Sequence, residues 1–83
     1  MNRSEIKRMI LSARKQQIKT DARTQLLIDK IEEDFEVRLD DFPCDMKYNA
    51  NANTIEEAIL WHIAYGEGDL EKLLDGIMEV KKK

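Results

Sequence analysis

The chain has 83 residues, 37% of them charged, with one cysteine and a net charge of −3. That length carries one core and no second domain, so residues 1–83 are expected to fold as a single unit. Cys44 alone excludes an intrachain disulfide and a cysteine-based zinc site, and no run approaches the ~18 apolar residues of a membrane span.

With three glycines, one proline and 42% apolar residues, the composition predicts an all-α domain. The expected architecture is three to four amphipathic helices ending in a helical hairpin. The first eleven residues hold only Met9, Ile10 and Leu11 as an apolar run, so no secretory leader is expected. Together with the single cysteine, that reads as a cytoplasmic protein without a membrane partner. Charge is segregated along the chain. Residues 1–23 carry seven Lys/Arg against two acids, residues 24–80 carry four against fifteen, and Lys81–Lys83 restore positive charge at the tip.

The N-terminal helical region is expected over residues 3–42, as one helix or split near residues 19–21. Asn2 and Glu5 have the spacing of a capping box. Ile6, Met9, Ile10 and Ala13 then share one face. Arg3, Lys7, Arg8, Arg14 and Lys15 spread over another, with Leu11 and Ile18 among them. From Asp21 to Asp41 a second stripe of Leu27, Ile28, Ile31, Phe35, Leu39 and Phe42 faces inward, and Pro43 is read as the stop. Asp29, Glu32, Glu33, Glu36 and Asp40 cover the opposite side. The stripe positions Gln17, Thr20 and Thr24 between the two segments are poor core residues.

Residues 43–53, rich in Asn and Asp, read as a loop. Val37, Leu39, Met46 and Tyr48 offer the alternative of a short hairpin over residues 37–48. A helical hairpin over 54–81 follows. Thr54 and Glu57 make a capping box, and Ile55, Ala58, Ile59 and Ile63 point inward. Gly66 and Gly68 end that helix, and Asp69 caps the next, with Leu70, Leu73, Leu74, Ile77 and Met78 on its inner face.

Catalytic patterns are absent from the sequence. His62 is the single histidine, and no local motif joins it to Cys44 as a nucleophile pair. Two candidate twelve-residue calcium loops fail. The frame from Asp45 puts Lys47 and Ala50 where a ligand and a glycine belong, and the frame from Asn49 ends on Leu60. No catalytic residue, cofactor or metal is therefore expected. A helix-turn-helix reading of residues 54–81 puts Glu71, Lys72, Asp75 and Glu79 on the outer face where phosphates would lie, a net charge of the wrong sign.

These features predict a non-enzymatic modulator that binds another protein, as an adaptor or inhibitor. The acidic arc of Asp29, Glu32, Glu33, Glu36 and Asp40 would meet a basic partner such as a nucleic-acid enzyme. Trp61 and Tyr65, four residues apart, would supply the aromatic anchor. In general character, though not residue by residue, this suits the small helical proteins that phages and mobile elements encode. The alternative is nucleic-acid binding through the basic arc of the first helix. Two long amphipathic helices with little to cover them further predict a homodimer in the manner of a four-helix bundle.

Overall fold

The structure, a computed structural model, describes residues 1–15 and 21–81. Its helices are α1 (Arg3–Lys15), α2 (Asp21–Phe35), α3 (Ile55–Tyr65) and α4 (Leu70–Lys81), with a 3₁₀ turn at Leu39–Asp41. No strand occurs among the described residues, where an isolated antiparallel bridge joins Pro43 and Thr54. The hairpin alternative over 37–48 is not formed. The expected break near residues 19–21 and the positions of Gln17, Ile18 and Thr20 fall largely outside the described residues.

The starts of α1, α3 and α4 each follow from a side-chain oxygen meeting an orphan amide. The Glu5 amide donates to Asn2 Oδ1 at 2.8 Å, and Glu5 Oε1 accepts from the Asn2 amide at 3.4 Å, which completes the capping box. The Glu57 amide donates to Thr54 Oγ1 at 3.2 Å, and the Lys72 amide to Asp69 Oδ1 at 3.1 Å. Glu57 reaches one residue further back than the motif requires, accepting from the Asn53 amide.

Helix α2 is shorter than expected, and its stop is not Pro43. Glu36 takes a left-handed φ of 56°. The Val37 amide then reaches back to the Glu32 carbonyl at 3.1 Å, which is the six-to-one bond of a Schellman ending. Glu32 Oε2 accepts from the Leu39 amide at 2.8 Å and carries the chain into the 3₁₀ turn. Leu39 is buried and Phe42 half-buried even so. The inward stripe therefore outlives the helix.

End-to-end contacts show that α1 runs antiparallel to both α2 and α4. Arg3 meets Glu71 at 2.7 Å and Asp75 at 3.1 Å, and Lys7 meets Glu71 at 2.7 Å, which sets α1 against α4. The N-terminal ammonium pairs with Asp34 near the end of α2. Lys81 closes the same end, 5.3 Å from the centre of the Phe35 ring and donating to the Met1 carbonyl. The core holds Ile6, Ile10, Leu27, Ile28, Ile31, Phe35, Ile59, Ile63, Leu73, Leu74 and Ile77, and Thr24 is buried with them despite its hydroxyl.

Residues 43–53 are a loop pinned at both ends. Its neck is closed by the Ile55 amide on the Phe42 carbonyl at 3.0 Å and the Cys44 amide on the Asn53 carbonyl at 3.1 Å. Its tip docks on the α3–α4 turn, where the Tyr48 carbonyl accepts from the Asp69 amide at 2.9 Å.

Candidate functional site

The acidic residues of α2 fall into two groups, because the helix ends before Asp40. Asp29 and Glu33 lie on the solvent face, with Glu36 exposed at the helix end. Asp29 accepts from Gln25 Nε2 at 2.9 Å. Glu32 and Asp40 turn instead toward Glu56 in the first turn of α3, and one carboxylate oxygen from each lies within 4.8 Å of the others. Burial, then the charges of Asp40 and Glu32, push the Glu56 carboxyl above its ordinary range. Arg38 opposes that shift and is itself held by Asp40 at 3.2 Å. Three hard oxygen donors at this spacing can accept from a guanidinium or ammonium group, or ligate a divalent cation.

Trp61 and Tyr65 do form a pair, with ring centroids 5.3 Å apart and planes tilted by 47°. Tyr65 is 72% exposed. The pair does not join the acidic cluster, however. Glu56 and Tyr65 are nine residues apart on α3, which is about 13 Å of rise and about 180° of rotation. A different side chain, unremarked in the sequence, stands among the acids. Leu26 is 54% exposed on α2. Asp29, Lys30 and Glu33 follow it at three, four and seven residues, on the same helix face.

The basic arc of α1 is divided as well. Arg3 and Lys7 are occupied by Glu71 and Asp75 of α4, and Lys7 and Arg3 together hold the Glu71 carboxyl below its usual range. Arg14 lies across Gly66 at the end of α3. Arg8 and Lys15 remain exposed, with Leu11 between them in sequence at 42% exposure.

Cys44 and His62 are each engaged with backbone rather than with one another. The Cys44 sulfur lies 3.4 Å from the carbonyls of Asp45 and Asn49. Burial and the Asp45 charge push its thiol up, away from the reactive thiolate. His62 is buried and its Nδ1 meets the Glu67 carbonyl at 3.2 Å. An open cleft of ≈ 380 Å³ lies between the 43–53 loop and α4. It is lined by Phe42, Pro43, Tyr48, Ile55, Gly76 and Val80, together with charges of both signs from Asp45, Lys47, Lys72, Asp75 and Glu79.

No protein-family model, curated protein or solved structure matches the chain.

Proposed function

We propose that this chain is a non-enzymatic protein-binding modulator, an adaptor or inhibitor of a larger protein, that acts through the acidic surface of α2, the 3₁₀ turn and the start of α3. The convergence of Glu32, Asp40 and Glu56 within 4.8 Å carries this reading. Carboxylates held that close repel one another, and burial first, then the charges of Asp40 and Glu32, hold the Glu56 carboxyl above its ordinary range. An arginine or lysine brought by a partner relieves the repulsion, so binding gains what the free protein loses. Charge steers the encounter, and a desolvated side chain provides most of the affinity. Leu26 is the apolar residue placed to do this, beside Asp29 and Glu33. The partner is a protein with a basic surface, such as a nucleic-acid enzyme. In this reading the protein is cytoplasmic, and a homodimer leaves the acidic surface of each copy open.

The basic arc of α1 supports direct nucleic-acid binding less well, since Arg3 and Lys7 are spent inside the fold. The deciding experiment is capture of a partner from the source cell, followed by charge-reversal variants. Glu32 is left intact because its carboxylate also holds the Leu39 amide. Glu56→Lys, at the cluster, and Asp29→Lys with Glu33→Lys, beside Leu26, should each weaken capture at least tenfold, while Arg8→Glu with Lys15→Glu leaves it unchanged. Normal binding by a folded Asp29/Glu33 variant would defeat the proposal. A steep salt slope on labelled RNA or DNA would transfer the function to α1.

A further inference from the structure

The cleft between the 43–53 loop and α4 has an apolar floor and charged walls. Phe42, Pro43, Ile55 and Val80 make the floor. Gly76 sits in the middle of the α4 wall, against the Tyr48 ring. A Cβ built on Gly76 would stand 3.1 Å from Tyr48 Cζ and 3.2 Å from its Oη. Glycine weakens a helix interior. Here it makes room for the phenol against the helix.

Charge is arranged lengthwise along the α4 wall. Lys72 stands one turn before Gly76, and Glu79 nearly one turn after it. Their seven-residue separation is about 10.5 Å of helix rise and returns to the same face. The loop wall matches this polarity. Burial pushes the Tyr48 phenol above its ordinary range, and the charges of Asp45 and Glu79 add to the shift, so both carboxylates lie near that hydroxyl. At the opposite end, the Tyr48 carbonyl accepts from the Asp69 amide, and Asp69 caps the turn that carries Lys72. Lys47 lines the cleft from the loop.

The fold does not use these charges itself. The side chains of Lys47, Lys72 and Glu79 make no ion pair or hydrogen bond with any described residue. Asp75, the remaining acid of the lining, is held by Arg3 at 3.1 Å. The cleft volume of ≈ 380 Å³ lies within the ~300–1,000 Å³ of small-ligand sites.

Opposite poles over an apolar floor select a ligand that is dipolar at its ends and apolar between them. The separation of the poles sets its length. An extended chain spans about 3.3–3.6 Å per residue, so three residues cover about 10–11 Å. A single amino acid is too short to reach both poles.

We propose that this cleft binds a short free peptide of about three residues, apolar at its centre, by its two charged ends. The peptide carboxylate meets Lys72 and Lys47, the ammonium meets Glu79 and Asp45, and the central side chain covers the floor. This goes beyond the acidic surface of α2 and does not rest on it.

The experiment is an NMR titration of the full chain with the tripeptide Ala-Leu-Ala, both ends free. The amides of Lys47, Tyr48, Gly76 and Glu79 should shift together, while those of Leu27 and Ile31 stay in place. N-acetylation and C-terminal amidation should each weaken binding about tenfold, and free leucine should bind more weakly still. Pairing each pole with its end completes the test. Lys47→Gln with Lys72→Gln should weaken the free peptide about tenfold yet leave binding of its C-terminal amide unchanged, and Glu79→Gln should do the same for the N-acetyl form. All three side chains are exposed, so these variants keep the fold. No shift at about 10 mM peptide, or shifts centred outside the cleft, would overturn the proposal. So would losses that add up when a pole and its end are removed together. Equal binding by the doubly capped peptide would also overturn it, in favour of a segment within a longer chain.

Discussion

Replacing Gly68 by alanine tests how the loop is held to the helical hairpin. Gly68 has φ of 94°, and a Cβ built there would lie 2.4 Å from the Tyr48 carbonyl oxygen. That oxygen is backbone, and it accepts from the Asp69 amide at 2.9 Å. Neither a rotamer change nor a small side-chain shift can relieve the overlap. The left-handed backbone costs an L-residue about 1–2 kcal/mol, and losing the displaced hydrogen bond adds about 0.5–1.5 kcal/mol. The sum is about 1.5–3.5 kcal/mol. A chain of this length has about 4–12 kcal/mol of stability in total. At about 4–8 °C per kcal/mol, the melting temperature should fall by roughly 6–28 °C. Gly66 is the control. Its φ is 67°, but its Cβ would meet only the Arg14 guanidinium, the free end of a flexible side chain. Gly66→Ala should therefore incur the backbone term alone, with a smaller fall of about 4–16 °C. Thermal melts of both variants by circular dichroism read the difference. Equal shifts, or a fall of under about 5 °C for Gly68→Ala, would refute the docked position of Tyr48.

Leu74 is fully buried, and Leu74→Ala should cost about 2–5 kcal/mol in urea unfolding. Glu36→Gly should do the reverse, gaining about 1 kcal/mol by removing the strain of φ 56° at a helix ending that favours glycine. Glu56→Gln should raise the melting temperature at neutral pH. The native carboxyl binds its proton more readily than the unfolded one, so its ionised form destabilises the fold above the native pKa. The gain should fade as pH falls toward 4.5, the ordinary carboxyl value. A gain unaltered at low pH would mean that charge repulsion is not its source.

Local signals in the sequence located the helices well wherever a cap or a stripe spoke for them. Asn2, Thr54 and Asp69 each present a side-chain oxygen at the spacing an orphan amide requires, and each accepts the bond. The stripe residues Ile31, Phe35, Ile59, Ile63, Leu73, Leu74 and Ile77 are all buried. The end of α2 escaped notice because neither glycine nor asparagine marks it. Glu36 adopts the left-handed turn itself, and Glu32 secures it with both carbonyl and carboxylate. Since Leu39 and Phe42 still point inward, the periodicity ran on as if the helix did too. Asn49 was hidden because it is buried on a loop, which no periodicity encodes, whereas His62 follows Ile59 by three residues and lies on the buried face of α3.

The same limit governs the interaction surface. Composition located negative charge in the body of the chain, and helical spacing grouped Asp29, Glu32, Glu33, Glu36 and Asp40. It could not show that Asp40 returns to Glu32 through a 3₁₀ turn, nor that Glu56 completes the cluster from another helix. Glu56 had no signal except its place in the first turn after Thr54. Helical rotation also separates Trp61 and Tyr65 from that cluster, so an aromatic anchor and the acids cannot be used as one compact patch. Leu26 lies instead beside the solvent-facing acids Asp29 and Glu33 of the same helix. Beside Leu27 and Ile28 it reads as one more core residue, yet at 100° per residue it falls outside the arc that Leu27, Ile31 and Phe35 share. An exposed leucine alone needs no explanation. Its place among Asp29, Lys30 and Glu33 gives this one a testable role. Leu26→Asp should leave the melting temperature within a few degrees of wild type, because the side chain covers no core. The same change should weaken partner capture as strongly as reversing Asp29 and Glu33. If capture survives Leu26→Asp but is lost on reversing the two acids, the contact is electrostatic alone and Leu26 is an ordinary surface residue.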